Sequence, residues 1–250
     1  EKATAHNLEM ARPAFLQKGD MRGTEHLTKD DLQMPRLALA QALSPEISED
    51  DAKYIEGLRP GHLFNNLTRE VLGKGPLYFT VVLASPPRGI EFYPRESGGG
   101  VKDFNVPLDD PRMQFGPGGE KPIATKFYDF IIALLPLTEE TAMERLVALS
   151  FKSSGLKVAR LLNSLMSYRQ AASFAGRYEL TVVQEKNSKG VFYNFSVRNA
   201  GWVSELEYKL AEEAHKMLKG KNIVIDREPG DEEDLAAEHA GDTSFDTSRM

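Results

Sequence analysis

Residues 149–166 read LSFKSSGLKVARLLNSLM, and the way this stretch divides decides the fold. Its first residues extend an apolar run, LVALSF (146–151), with the composition of a buried strand. Lys152 stops the run, and Ser153, Ser154 and Gly155 supply a turn. From Leu156 the apolar residues recur three and four apart, which predicts a helix to about Met166.

Upstream, LYFTVVL (77–83), GIEFYP (89–94) and FYDFIIALL (127–135) are strand-like. Pro86-Pro87 and a Gly- and Pro-rich stretch over 98–122 separate them, the latter reading as a loop, either disordered or a binding loop. Downstream, RYELTVVQ (177–184) and VFYNFSV (191–197) flank EKNSKG and read as a β-hairpin. Strand–helix alternation and internal repeats are both missing, which argues against a doubly wound sheet or a solenoid. Three strands, a helix and two strands is the order of an OB-fold, with one or two strand-like pieces left over as an elaboration. Ser204 and Glu207 then form a capping box, and Leu206, Leu210 and Ala214 continue at helical spacing into a closing helix. The expected class is mainly β with helices: an OB-like Greek-key barrel with a C-terminal helix. Three segments follow: a flexible N-terminal arm over 1–50 with a short helix opening near Thr28, an OB-like domain over 51–225, and a disordered acidic tail over 226–250.

A chain of 250 residues, 41% of them hydrophobic, can bury a core. With no cysteine, disulfides and thiolate metal sites are excluded, which fits a reducing cytoplasm. The longest apolar run, Phe130 to Leu137, is far short of the roughly 20 residues that cross a bilayer, and EKATAHNLEM has no apolar signal core. A soluble, unsecreted protein of the cytoplasm, with no membrane partner, is expected.

The net charge of -6 hides where the charges lie. From Asp226 onward, nine acids face two bases, so that segment carries -7 and the rest of the chain about +1. Positions 145–198 hold nine bases and only Glu179 and Glu185 as acids, a local +7. Within it, Lys157, Arg160, Ser164 and Ser167 fall three or four apart and share one stripe of the predicted helix, able to touch an anion.

Signatures of chemistry are lacking. The five histidines are scattered without a metal-binding spacing, and neither a phosphate-cradling GxxxxGK[ST] nor a GxSxG is present. Asp103, Asp109 and Asp110 could gather a metal, which makes a metal-dependent nuclease one alternative; as loop acids they read more simply as solvated. No catalytic residue and no cofactor is therefore expected. What remains is aromatics interleaved with bases: Arg88, Tyr93 and Arg95 in PPRGIEFYPR, and Lys186, Lys189, Phe192 and Tyr193 in the hairpin, with Lys152, Lys157 and Arg160 nearby in sequence. Exposed rings can stack on bases while flanking cations track phosphates. The simpler reading makes most of these rings core and the helical stripe a solvated face.

The blocks LTKDDLQMPRLALAQALSPEI, YIEGLRPGHLFNNLT, IEFYPRESGGGVKDFNVPLDDPR, ALSFKSSGLKVARLLNSL and KNSKGVFYNFSVRNAGWV resemble, in order and wording, a group of bacteriophage single-stranded DNA-binding proteins. The resemblance covers residues 25 to 225 or so, and extends more broadly to phage OB-fold single-strand binders with acidic tails. It implies a non-enzymatic protein that coats transient single strands during phage replication or recombination in the host cytoplasm. The implied partners are single-stranded DNA and replication or recombination proteins met through the tail, with oligomers allowed. A virion or assembly protein with a regulatory acidic tail is the alternative from the structural class.

Overall fold

The computed structural model describes residues 34–94, 100–187, 190–220 and 225. Its strands are β1 (Leu37–Leu39), β2 (Leu63–Asn65), β3 (Val71–Gly73), β4 (Leu77–Ala84), β5 (Arg88–Phe92), β6 (Val101–Val106), β7 (Ala124–Leu134), β8 (Leu146–Lys152), β9 (Gly176–Asn187) and β10 (Gly190–Trp202). Helix α1 (Leu156–Tyr168) separates β8 from β9, and α2 (Glu205–Leu218) follows β10. The predicted strand, turn and helix of 149–166 are all present: Ser153–Gly155 forms a single 3-10 turn between β8 and α1.

The large antiparallel sheet has the order β10-β9-β4-β7-β5-β6, with β8 also paired to β7; β1-β2-β3 form a small second sheet. Taken as five strands, β4, β7, β8, β9 and β10 have OB connectivity, because β4 pairs with both β7 and β9, β8 joins β7, and α1 precedes the last hairpin. The leftover strands are β5 and β6, an extra hairpin inserted between the first and second barrel strands. No ladder joins β8 to β10 among the described residues, so the barrel is not closed.

The N-terminal segment lies at that open side. Ala148 of β8 donates its N–H to the Pro35 carbonyl at 2.7 Å, and Arg36 bridges Ala148 in parallel. Six residues on, the Gln41 side chain donates to the Tyr193 carbonyl and accepts its N–H, both at 2.9 Å, so an amide side chain imitates a strand partner for β10. Between these anchors Leu37 enters the same core as Phe151 and Val197. Residues 34–50 were expected to belong to a flexible arm; they are instead packed structure, because Leu37 and Ala40 are buried. The helix expected near Thr28 and the tail over 226–250 lie outside the described residues.

The core has two layers. Inside the barrel, Phe79, Val81, Phe130, Ile132, Leu149, Phe151 and Leu180 meet Val158, Ala159 and Leu162 of α1. Phe151 lies edge-on to both Phe130 and Phe195, with ring centroids 5.8 and 5.5 Å apart. Such pairs add about 0.5–1.5 kcal/mol each beyond area burial. Outside the barrel, Val82, Ile131, Ala133, Leu146 and Ala148 meet Leu210, Ala211, Ala214 and Leu218 of α2. Burial on both faces explains why β7 reads as a continuous apolar run rather than an alternating one. The capping box fixes where α2 starts: Ser204 Oγ accepts the Glu207 N–H, and the Glu207 carboxylate accepts the Ser204 N–H at 2.8 Å.

From Gly100 onward, the stretch expected to be a disordered or binding loop contains regular structure. Its VKDFNV segment pairs with β5 as edge strand β6, and Pro111–Met113 makes a 3-10 turn. What organises it is ionic, and belongs to the charged surfaces.

Candidate nucleic-acid interface

Charge gathers in two places. At the added hairpin, Arg112 Nη1 lies 2.8 Å from Glu91 and 3.0 Å from Asp103, while its Nη2 lies 2.8 Å from Asp110; Lys102 also pairs with Glu91. The hydrogen bond from the Arg112 side chain holds the Asp110 carboxyl down at about 2. Glu91 and Asp103 are lowered too, Glu91 first by its bond from Lys102 and Asp103 first by the Asn105 N–H. This explains why a Gly- and Pro-rich segment is ordered. It also gives Asp103 and Asp110, two of the three acids of the nuclease alternative with Asp109, a bound guanidinium; among the described residues no group of three or more His, Asp or Glu is placed to hold a metal ion.

The second gathering follows α1 and the β9–β10 hairpin. Near the helix start, Lys157 Nζ meets both oxygens of Glu185, at 2.8 and 3.0 Å, and Asn194 donates to Glu185 and to Ser154 Oγ, each at 3.3 Å. At the helix end, Arg169 donates to the Asn199 side chain and toward the Arg177 carbonyl. Helix and hairpin are thus tied at both ends. Twelve residues of helix at 1.5 Å rise cover about 18 Å, and the seven β10 steps from Phe192, opposite Glu185, to Asn199 cover about 23 Å. These lengths agree, so α1 runs alongside β10 and its stripe forms a line about 20 Å long. Arg160 stands on that line, exposed and without an ion pair among the described residues; Ser164 bonds back to its carbonyl.

At the far end of the hairpin the register shifts between Asn199 and Trp202, and Gly201 takes φ +96°. The bulge turns Trp202 outward, and the Arg169 guanidinium lies 4.5 Å from its ring and 5.0 Å from that of buried Tyr178. Arg177 lies 4.3 Å over Tyr78 next to it. Close packing makes Gly176 obligatory here, since a Cβ would come within 2.5 Å of the Tyr178 hydroxyl.

The expected site residues divide accordingly. Lys157 and Arg160 share the α1 line, Lys186 is exposed opposite Val191 on the hairpin, and Phe192 is half-buried opposite Glu185. Lys152 ends β8, opposite Phe127, just ahead of the same helix. Tyr93 is partly exposed at the end of β5, away from this line. Two residues also make scaffold contacts. Arg88 pairs at 3.2 Å with buried Asp129, which also accepts from Ser150 Oγ, and so pins β5 to β7. Tyr193 packs against Gly61, where a Cβ would sit 2.7 Å from its ring, and beneath Lys74. Arg95 and Lys189 lie outside the described residues. Sequence reasoning did not single out Tyr168, Arg169, Asn199 or Trp202; the Asn-Ala-Gly before Trp202 was the available sign of a bulge.

OB barrels meet oligonucleotides on the outer face of their second and third strands and through the flanking loops. Here α2 covers the upper part of that face, over Ile131, Ala133, Leu146 and Ala148. Among the described residues nothing comparable covers the outer side of α1 and the hairpin. Among the described residues no helix is long and apolar enough to cross a membrane.

Comparison with known proteins places the chain by family. The model of the Pam3 phage gp34-like protein family matches residues 3–224, nearly the whole chain, and the protein belongs to that family. No curated protein and no solved structure matches it.

Proposed function

We propose that this phage protein is a non-enzymatic single-stranded DNA-binding protein that coats strands during replication or recombination. The observation that carries the reading is the basic line on α1, held against the last hairpin of an OB-connected barrel. Among the described residues the ion-pair partner of exposed Lys157 is the partly exposed Glu185, and pairs near the surface are worth about 0–1 kcal/mol, so a phosphate displaces Glu185 at little cost. Lys157, Arg160 and Lys186 contact phosphates and Phe192 flanks them, while the acidic segment after Asp226 competes for the same cations or recruits other replication proteins.

A fluorescence titration with a labelled single strand and a matched duplex, without magnesium, tests the proposal. Four to six phosphate contacts give a logarithmic salt slope of about -3 to -4, at roughly 0.7 per contact. Salt-independent affinity, or equal affinity for duplex, refutes it. The assembly reading draws on one observation: Phe115 and Ile123, in the connection from β6 to β7, are 71% and 66% exposed. It predicts oligomers without DNA and no strand binding.

A further inference from the structure

We infer that the far end of the β9–β10 hairpin is a nucleobase-stacking site, with Trp202 as its platform. The inference rests on the single-strand reading above and adds to it an apolar contact at a place distinct from the phosphate-tracking cations. Three observations carry it. First, Trp202 is 60% exposed although a β-bulge and a left-handed glycine are devoted to orienting it, and bulges serve to re-aim side chains. Second, one face of the indole is covered by Arg169, which leaves the opposite face for a planar ligand. Third, Arg169 is itself clamped between Trp202 and buried Tyr178 and bonded to Asn199, so the indole is held in place before any ligand arrives.

The surroundings select the ligand. Arg169 has no carboxylate partner among the described residues, and neither has Arg177, which lies over Tyr78; the end of the hairpin is cationic as well as aromatic. Tyr168, the last residue of α1 and 85% exposed, adds a further accessible ring at this end of the helix. A flat ring attached to a phosphodiester matches this set, and only an unpaired base has its face available. The α1 line leads from the Lys157 end directly to this platform, so one strand can engage both.

Trp202 is the single tryptophan of the chain, so its emission reads this site alone. The full-length protein is titrated with a labelled oligo(dT) strand, following tryptophan emission and label anisotropy together. Emission should be quenched along the same isotherm as the anisotropy rise. Trp202→Ala should bind about 5- to 150-fold more weakly, with the salt slope unchanged, because stacking releases no counterions. Trp202→Phe, which keeps a ring, should recover part of that loss and guards against a folding defect in the alanine variant. An anisotropy rise with unchanged emission, or both variants binding like wild type, overturns the stacking site while leaving single-strand binding intact. Absence of any anisotropy rise overturns both.

Discussion

Arg112 and Arg169 each hold a loose part of the molecule in place, and they do so by opposite means. Around Arg112, two cations meet three carboxylates, so the cluster closes on itself and has no attraction left for a polyanion. Around Arg169 the partners are two rings, an amide and a carbonyl, all uncharged, so the positive charge still acts outward. Both are arginines near exposed aromatics, and the sequence makes them look alike. What separates a closed clasp from a cation that acts outward is the charge of the partners, which only the fold brings together.

The largest effect should come from removing the packing on which the Arg169 surface stands. Phe151 lies beneath the junction of barrel, α1 and hairpin, against Phe130 and Phe195, and Phe151→Ala should cost about 3–5 kcal/mol in urea denaturation. A loss below about 1 kcal/mol, the size of an ordinary surface change, would show that the junction is not packed as described.

Next comes the basic line. Lys157→Ala with Arg160→Ala should weaken single-strand binding and flatten the salt slope by about 1.4, two contacts at roughly 0.7 each. Glu185→Gln should move the other way, freeing Lys157 and tightening binding at low salt. If the double variant binds like wild type, the line is a solvated face and the contrast with Arg112 has no functional content.

Arg112→Gln should leave DNA affinity unchanged and make stability less dependent on pH. The carboxyls of Glu91, Asp103 and Asp110 are lowered in the folded state, so their contribution is present above the unfolded values near 4 and is lost as pH falls through the folded values, about 2 for Asp110. The gap in melting temperature between wild type and variant should therefore be full at pH 6 and shrink between about pH 4 and 2. A gap constant across that range would mean that the clasp acts through packing alone.

The smallest effect concerns the acidic segment. Deleting 226–250 removes a charge of -7 and should raise affinity for single strands at low salt, with the gain fading as salt screens it. Affinities that coincide at low salt would show that the segment does not compete for the line.

Local patterns carried the fold far. The period change at Lys152, the hairpin around EKNSKG and the Ser204–Glu207 box all lie within a few residues, and all are present. Partnership over long separations was not legible. Nothing in the sequence near Tyr193 announces Gln41, 152 positions away, and nothing near Arg88 announces Asp129. Those two contacts give an expected ring and an expected cation packing roles that the local pattern does not show. Trp202 escaped for a related reason: its exposure comes from a bulge that shifts register by local backbone geometry, whereas alternation along VFYNFSV describes only the regular part of the strand.

The segment from Pro35 to Gln41 also bears on how the chain assembles during synthesis. One edge of it pairs early, with β2, but Ala148 and Tyr193 are made much later, so its other edge waits for both of these partners. Ribosomes add about 5–20 residues per second, so the roughly 150 residues between Gln41 and Tyr193 take on the order of ten seconds or more. Chains that end before β10 leave Gln41 without Tyr193 and one edge of β9 unpaired, the condition that favours aggregation. Yield of soluble protein should thus depend steeply on completing β10, more than on any single residue of the surface it presents.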